Sequence, residues 1–330
     1  MYDVITIGAA TRDVFLVSRA FMLVPLPELG GNLGECVALG SKIDIDDIVL
    51  TTGGGATNAA VTFAKLGMRV ATITRVGDDE PGRAVLADLE TNHVDTSMVK
   101  VVKHGQTGYS TILTAQNGER TILVYRGVSA DQKESDLKTK RLKTRWLYVT
   151  SLGGNAEMLM RLVWHAKADD LAIAFNPGAG EIKLGLRALD QVIRHLSILI
   201  LNLEEAQELT KLQTTNVKDL AGKLARPGLT LVITDGPRGT HAFLDDTYWH
   251  CGTRSIRSVS RTGAGDAFGS AFVAARMQGR DMEDALRIGT ANAESVISHF
   301  GAKAGIIKSF PSQKVLMSIP LTSDEGYTAQ

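Results

Sequence analysis

The sequence predicts an α/β protein built on a parallel sheet, with a smaller sheet beside it that would serve as a lid. Three observations carry this expectation. From Trp146 onward, β-like runs and helical stretches alternate: Trp146–Thr150, a helix near Ala156–Ala168, Leu171–Phe175, a helix near Leu184–His195, then Ile198–Leu201. That rhythm is the mark of parallel strands joined by crossover helices. Val4-Ile5-Thr6-Ile7 is a short β-branched run closed by Gly8, as in a buried strand. Lastly, Val14–Thr52 and Thr107–Gly127 hold β-like pieces outside this rhythm, and together they would make the extra sheet.

Taken in order, the first strand runs into Ala9-Ala10-Thr11-Arg12-Asp13. This is not GxGxxG, so a nicotinamide dehydrogenase loses its main support. Asp13 follows a strand end, where open α/β sheets bind ligands, although a loop or cap aspartate fits equally well. Val14–Thr52 is irregular and proline-bearing and reads as an insertion before the first helix. Gly53-Gly54-Gly55-Ala56-Thr57-Asn58 then opens a helix with Ala60, Val61, Ala64 and Leu66 on its apolar face, closed by Gly67. The glycines let a ligand touch the backbone, and Asn58 can both donate to and accept from a polyol.

Val70–Val76 reads as the next strand, followed by Gly77-Asp78-Asp79 and a helix over Gly82–Thr91. Thr111-Ile112-Leu113 and Thr121–Tyr125 flank Asn117-Gly118, a type I′ turn signal, and so predict a hairpin. Asn202 and Glu205 have capping-box spacing, which would account for both without any ligand. Leu229–Thr234 is another strand, ending in the turn Asp235-Gly236-Pro237-Arg238-Gly239, which could lie against a nucleotide. His241 and His250 flank an expected strand pair and, lacking partners at ligand spacing, read as structural. From Pro311 the chain turns polar near its end and is expected to fray.

The stretch with the most chemistry is Arg261-Thr262-Gly263-Ala264-Gly265-Asp266-Ala267-Phe268-Gly269. Phe268, Ala271, Phe272 and Ala275 recur at helical spacing, and Gly279 ends the helix. A turn of tiny residues entering a helix N-terminus binds anions, because unpaired N–H groups and the helix dipole point outward there. A carboxylate beside such a turn suits a general base that takes a proton from an attacking hydroxyl. An aspartate before an apolar helix is also an ordinary N-cap, worth about 1 kcal/mol. Alone, the stretch favours that structural reading; the other motifs tip the balance.

Composition narrows the field. With 330 residues, 44% hydrophobic and 22% charged, the chain has the make-up of a globular enzyme. Lys+Arg and Asp+Glu both number 36, so no global basic field favours nucleic acid or an anionic membrane. Cys36 and Cys251 form neither a disulfide framework nor a CxxC pair, which fits a reducing cytoplasm. The N-terminal residues lack the pattern of a signal peptide, and Arg19, Pro25 and Pro27 break the apolar patch at Phe15–Leu29.

Together these motifs resemble the ribokinase-like (PfkB) carbohydrate kinase family, over roughly Val4 to Phe310. The glycine pair with a following Asn is matched by Gly53–Asn58, the Asn-x-x-Glu element by Asn202 and Glu205, and the C-terminal signature by Ser260–Asp266. A GxxxxGK[ST] phosphate loop is absent. The resemblance implies a single α/β domain over residues 1–310, with a doubly wound, mainly parallel sheet flanked by helices. It also implies a small β-sheet lid from about 14–52 and 99–127, leaving 311–330 as a tail.

The activity it implies is transfer of the ATP γ-phosphoryl group to a primary hydroxyl of a sugar. Asp266 would be the base, with Gly263, Ala264 and Gly265 as the anion hole. Asp13, Gly54 and Asn58 would grip the sugar. Asn202 and Glu205 would sit near the phosphates, Glu205 reaching Mg²⁺ through water. Thr234, Gly236 and Gly239 would line the nucleotide, and Asn292 would lie beside the adenine. Members often dimerise through the lid, so a homodimer is allowed.

Two departures stand out. Ser260 replaces the aspartate that helps hold potassium in cation-activated members, which puts a monovalent-cation site in question and makes Arg261 a candidate substitute charge. Gly55 stands where ribokinases proper carry a sugar-contacting lysine. The long insertion and Gly118-Glu119-Arg120-Thr121 point towards the nucleoside-kinase branch as the nearest alternative. A non-catalytic sugar- or nucleotide-binding regulator is the rival from another class.

Overall fold

The computed structural model describes residues 1–26, 32–115, 120–137 and 142–327. Its strands in the first half are β1 (Val4–Ile7), β2 (Thr11–Val17), β3 (Met22–Leu26), β4 (Asn32–Cys36), β5 (Asp47–Gly53), β6 (Val70–Ile73), β7 (Arg75–Gly77), β8 (Lys100–Val102), β9 (Gly108–Thr114) and β10 (Arg120–Tyr125). The second half adds β11 (Trp146–Val149), β12 (Ala172–Phe175), β13 (Ile198–Asn202), β14 (Thr230–Thr234), β15 (Thr240–Leu244), β16 (Thr247–Cys251) and β17 (Leu321–Glu325). The helices are α1 (Gly55–Lys65), α2 (Glu80–Thr91), α3 (Ala156–Ala168), α4 (Ala179–Ile182), α5 (Leu186–Ile193), α6 (Leu203–Thr210), α7 (Val217–Leu224), α8 (Ala264–Met277), α9 (Met282–Ile297) and α10 (Gln313–Leu316).

Nine strands form the main sheet in the order β17-β16-β15-β14-β13-β12-β11-β1-β6. Pairing is parallel from β6 through β14 and antiparallel from β14 to β17. The central strands read as unbroken apolar runs because both faces are covered; every residue of β1 and β6 is buried. One face packs on α1, α8 and α9 through residues such as Phe63, Phe268, Phe272 and Leu286. The other packs on α3, α5 and α7 through Leu159, Leu162, Val192 and Leu220. Burying each such side chain contributes about 1.5–3 kcal/mol. Alanines at 267, 271, 274 and 275 keep α8 slim, so it lies close against its neighbours. The sheet is therefore doubly wound, as expected.

The chain leaves β1 towards β6 on one side and returns to β11 on the other, so the strand order reverses beside β1. In open α/β sheets that reversal opens a crevice at the carboxyl ends of the strands. Over it stands a separate four-stranded sheet, β10-β9-β2-β5, drawn from the two segments expected to form the lid. The insertion between β2 and β5 adds the hairpin β3–β4.

Three expectations are corrected. Residues after Pro311 do not simply fray: α10 packs by Leu316 into the core, and β17 pairs antiparallel with β16, where Tyr327 meets Phe243. Exposed polar residues on an edge strand look like a tail in sequence. Val70–Val76 is not one strand, since β6 joins the main sheet while β7 pairs with β8. Asp13 lies not in a loop after β1 but within β2 of the lid, opposite Thr51 and Ser110. The Asn117-Gly118 turn falls outside the described residues, although β9 and β10 pair as a hairpin would. Among the described residues no helix is long and apolar enough to cross a membrane.

Candidate active site

The Gly263–Gly265 turn sits at the mouth of α8. Gly263 is the N-cap with φ 81, a left-handed conformation natural to glycine, and a Cβ there would collide with Ala302. Asp266 is thus in the first turn and is not the cap. Helix geometry leaves the first-turn N–H groups without intrahelical acceptors. Of these, Ala264 N–H reaches the Arg261 carbonyl only at 3.3 Å, and nothing lies within 4 Å of where a Cβ on Gly265 would stand. The bend therefore leaves the Gly265 amide facing open space and the Ala264 amide only weakly engaged.

Asp266 keeps a partly exposed carboxylate towards the crevice, while protein crowds it on its other sides. Its Oδ2 accepts from Asn58 Nδ2 at 2.8 Å. Burial raises its pKa and the nearby Asp13 charge adds to the rise; the Asn58 hydrogen bond and Lys303 oppose it. Asn58 belongs to the first turn of α1, directly after the glycine run, and its Oδ1 is buried with no partner among the described residues. Asp13 is buried on β2, accepts from Thr11 Oγ1 at 2.8 Å, and is likewise pushed up by burial. Gly54 has φ 96 and lies against the backbone of Ala9 and Ala10, so the loop passes close beneath the lid. Asp13, Asn58 and Asp266 converge as the sequence suggested.

Two adjoining cavities flank the turn. The first, of about 310 Å³, is bounded by Gly263, Ala264, Gly265, Asp266 and the ends of four consecutive parallel strands. Those ends carry Thr150, Asn176, Asn202 and Thr234, each polar where the strand reaches the crevice. Asn202 and Glu205 form the capping box: Asn202 Oδ1 accepts from Glu205 N at 2.8 Å, and Glu205 Oε2 accepts from Asn202 N at 2.9 Å. Glu205 nevertheless lines the cavity, with its pKa raised by burial and by the Asp266 charge. The second cavity, about 340 Å³, shares Thr234, Arg261, Ala264 and Gly265 with the first and extends past Gly236 and Gly239. Its walls include Ile256, Phe268, Ala293 and Ile297, with the Arg254–Glu294 ion pair (2.6 Å) at its edge.

Asn292 is placed differently from expectation. It is wholly buried and bonded at both ends of its amide: Nδ2 donates to the Ala267 carbonyl at 2.8 Å, and Oδ1 accepts from Ile307 N at 3.0 Å. Its neighbour Ala293 faces the cavity instead, because consecutive residues on a helix point about a quarter-turn apart. Sequence reading also missed Thr150 and Asn176, although a polar residue ending each parallel strand was a usable signal. His241 and His250 stack at 4.6 Å on β15 and β16; burial, then the second ring, pushes His241 down to about 4. His241 Nδ1 pairs with Tyr248 OH and His250 Nε2 with the Arg238 carbonyl, both at 2.9 Å.

Among the described residues no cluster of three or more His, Cys, Asp or Glu could cage a metal. Mg²⁺ commonly takes only one or two carboxylates besides waters and substrate phosphates. Glu205, which lines the first cavity, is one such carboxylate.

The family model for pfkB family carbohydrate kinases matches residues 28–308. The chain belongs to that family. This kinase is a phosphotransferase with an alcohol group as acceptor, and family members use ATP. It is 29% identical over 309 residues to a ribokinase of Bacillus subtilis, covering 93% of this chain and 96% of that one. It is 28% identical to an uncharacterized sugar kinase of Archaeoglobus fulgidus, covering 75% of this chain and 98% of the relative. The kinase fold also matches a Cryptococcus neoformans ribokinase in complex with ADP (TM-score 0.72, 23% identity, 96% and 99% covered). A Burkholderia thailandensis nucleoside kinase in complex with inosine matches comparably (TM-score 0.75, 17% identity, 96% of each chain).

Proposed function

We propose that this chain is a single-domain, ATP-dependent sugar kinase that phosphorylates a primary hydroxyl, with Asp266 as the catalytic base. The observation that carries this reading is the convergence of three side chains. The Asp266 carboxylate lies beside the Gly263–Gly265 turn at the start of α8, is held by Asn58, and is close enough to Asp13 for the two charges to interact. The acceptor sugar would lie under the lid, its hydroxyls bound by Asp13, by the unused Oδ1 of Asn58 and by the backbone at Gly54. ATP would place its base in the Phe268–Ala293 slot past Gly236 and Gly239, and its phosphates beside Thr234 and Asn202. Mg²⁺, when bound through water to Glu205, would neutralise phosphate charge.

In the reaction, Asp266 takes the hydroxyl proton as the sugar oxygen attacks the γ-phosphorus. The amides of Ala264 and Gly265 stabilise the transferring group, which needs little beyond positioning and charge neutralisation. A raised pKa makes Asp266 a better proton acceptor than an exposed aspartate. Closing the lid would exclude water and so limit hydrolysis of ATP.

The test is Asp266→Asn. It should keep the fold and nucleotide binding while turnover falls by at least about 10³-fold, since base and positioning act together. Turnover near that of the parent would remove Asp266 from this role. A nucleoside acceptor is the second reading, favoured by the extra β3–β4 hairpin and by Gly55, where a Cβ would press on the Thr150 side chain at 2.9 Å. An ATP-consumption panel of sugars and nucleosides decides between them; binding without product would instead indicate a regulator.

We also propose a homodimer through the lid. Edge strand β10 exposes Ile122, Leu123, Val124 and Tyr125 in succession, so both of its faces are apolar and open. Unpaired apolar edges of this kind invite a second strand.

A further inference from the structure

The segment after α9 touches both halves of the candidate site, and each of its four residues has a separate partner. Phe300 packs edge-on against Phe15 of the lid at 5.9 Å. Gly301, at φ +84, lies against Thr51 of β5. Ala302 fills the space beneath Gly263 in the anion turn. Lys303 is buried, and its Nζ donates to Thr52 Oγ1 at 2.7 Å and to Asp88 Oδ2 at 2.8 Å. Thr52 and Asp88 also bond to each other, closing a triangle between lid strand β5, helix α2 and this segment.

The triangle sits at the base of the lid. Thr52 pairs with Arg12 and is followed by Gly53, where a Cβ would run into the Asp13 carboxylate. Anything that shifts Thr52 therefore shifts the strand pair carrying Asp13. Since Ala302 supports the Gly263 turn one residue earlier, the same backbone also supports Asp266. A buried ammonium is costly unless paired and bonded, so its retention here has to be matched by tight geometry.

We propose that Lys303 is a positioning residue, whose closed triangle with Thr52 and Asp88 holds lid-borne Asp13 and turn-borne Asp266 in register and supplies a fixed positive charge to both. This rests on the reading of Asp266 as the base. Lys303 is faced by Asp88 from α2, Asp13 from β2 and Asp266 from α8, while Lys65 of α1 donates to its carbonyl at 3.3 Å. Asp266 is faced further by Tyr148 and Glu205, and Asp13 by Arg12 and Ser110. With two carboxylates desolvated near one another, Lys303 acts to lower the pKa of each.

The experiment measures kcat, KM and the pH profile of kcat/KM for Lys303→Met and Lys303→Arg in the full chain. Lys303→Met should lower kcat by about 10–100-fold through misplacement of the reacting groups. It should also move the acidic limb of the profile upward by roughly 0.5–1 unit, because an opposite charge is lost. Lys303→Arg should return most of that limb. If Lys303→Met does not fold, the double variant Lys303→Met, Asp88→Asn removes the pair together and is read in the same way. A folded variant whose acidic limb stays at the parent's position overturns the proposal. The two readings fail separately: near-parent turnover in Asp266→Asn sinks the base, whereas an unmoved limb sinks Lys303 alone.

Discussion

Gly263→Ala tests whether the anion turn depends on its glycine. The substitution meets two separate penalties. Gly263 has φ 81, and a left-handed conformation costs an L-residue roughly 1–2 kcal/mol. The new methyl would also overlap Ala302, which is 2% exposed and cannot retreat into solvent. Overpacking of this kind costs about 1–3 kcal/mol. The sum, about 2–5 kcal/mol, is a large share of the 5–15 kcal/mol that typically separates folded from unfolded chains. Part of the strain is relieved if the turn moves, and a displacement near 1 Å at the reacting groups would lower kcat by about 10²-fold. Gly279→Ala is the control: it has φ 74, but nothing lies within 4 Å of its Cβ position, so only the backbone penalty applies. Denaturant unfolding and steady-state kinetics on both variants give the comparison. Equal destabilisation of the two, with parental turnover in Gly263→Ala, would refute the claim that Ala302 clamps the turn.

Ala293→Trp should fill the apolar slot beside Phe268 and raise KM for ATP more than about tenfold with little change in KM for the acceptor; equal effects on both would place the adenine elsewhere. Ser260 is buried and Arg261 lines both cavities, so turnover should be the same in potassium and in a bulky organic cation buffer, whereas a strong potassium requirement would show that Arg261 supplies no substitute charge. Leu123→Arg on the exposed edge of β10 should convert a dimer to a monomer in sedimentation without unfolding it, and a monomeric parent protein would remove the lid interface.

What the sequence made legible follows from which contacts are local. Gly263-Ala264-Gly265-Asp266 and Gly53–Asn58 announce themselves because a turn and the first turn of its helix lie within a few residues of each other. The alternation after Trp146 did the same for the parallel sheet. What stayed hidden depends on residues far apart in the chain. Lys303 reaches Thr52 across 251 positions, and no periodicity in either segment marks the pairing. Asn292 illustrates the opposite error. The family resemblance places it within a residue of the second cavity, but helix phase turns its amide into the core, where Ala267 and Ile307 bond both ends of it. Asp13 shows how a second sheet reaches the site: a residue that looks like the end of the first strand belongs to that sheet, so Asp13 and Asp266 approach each other from different layers. On the proposed reading, acceptor binding and the base thus ride on different layers of the fold, and a segment that touches both, as 300–303 does, would control whether they meet.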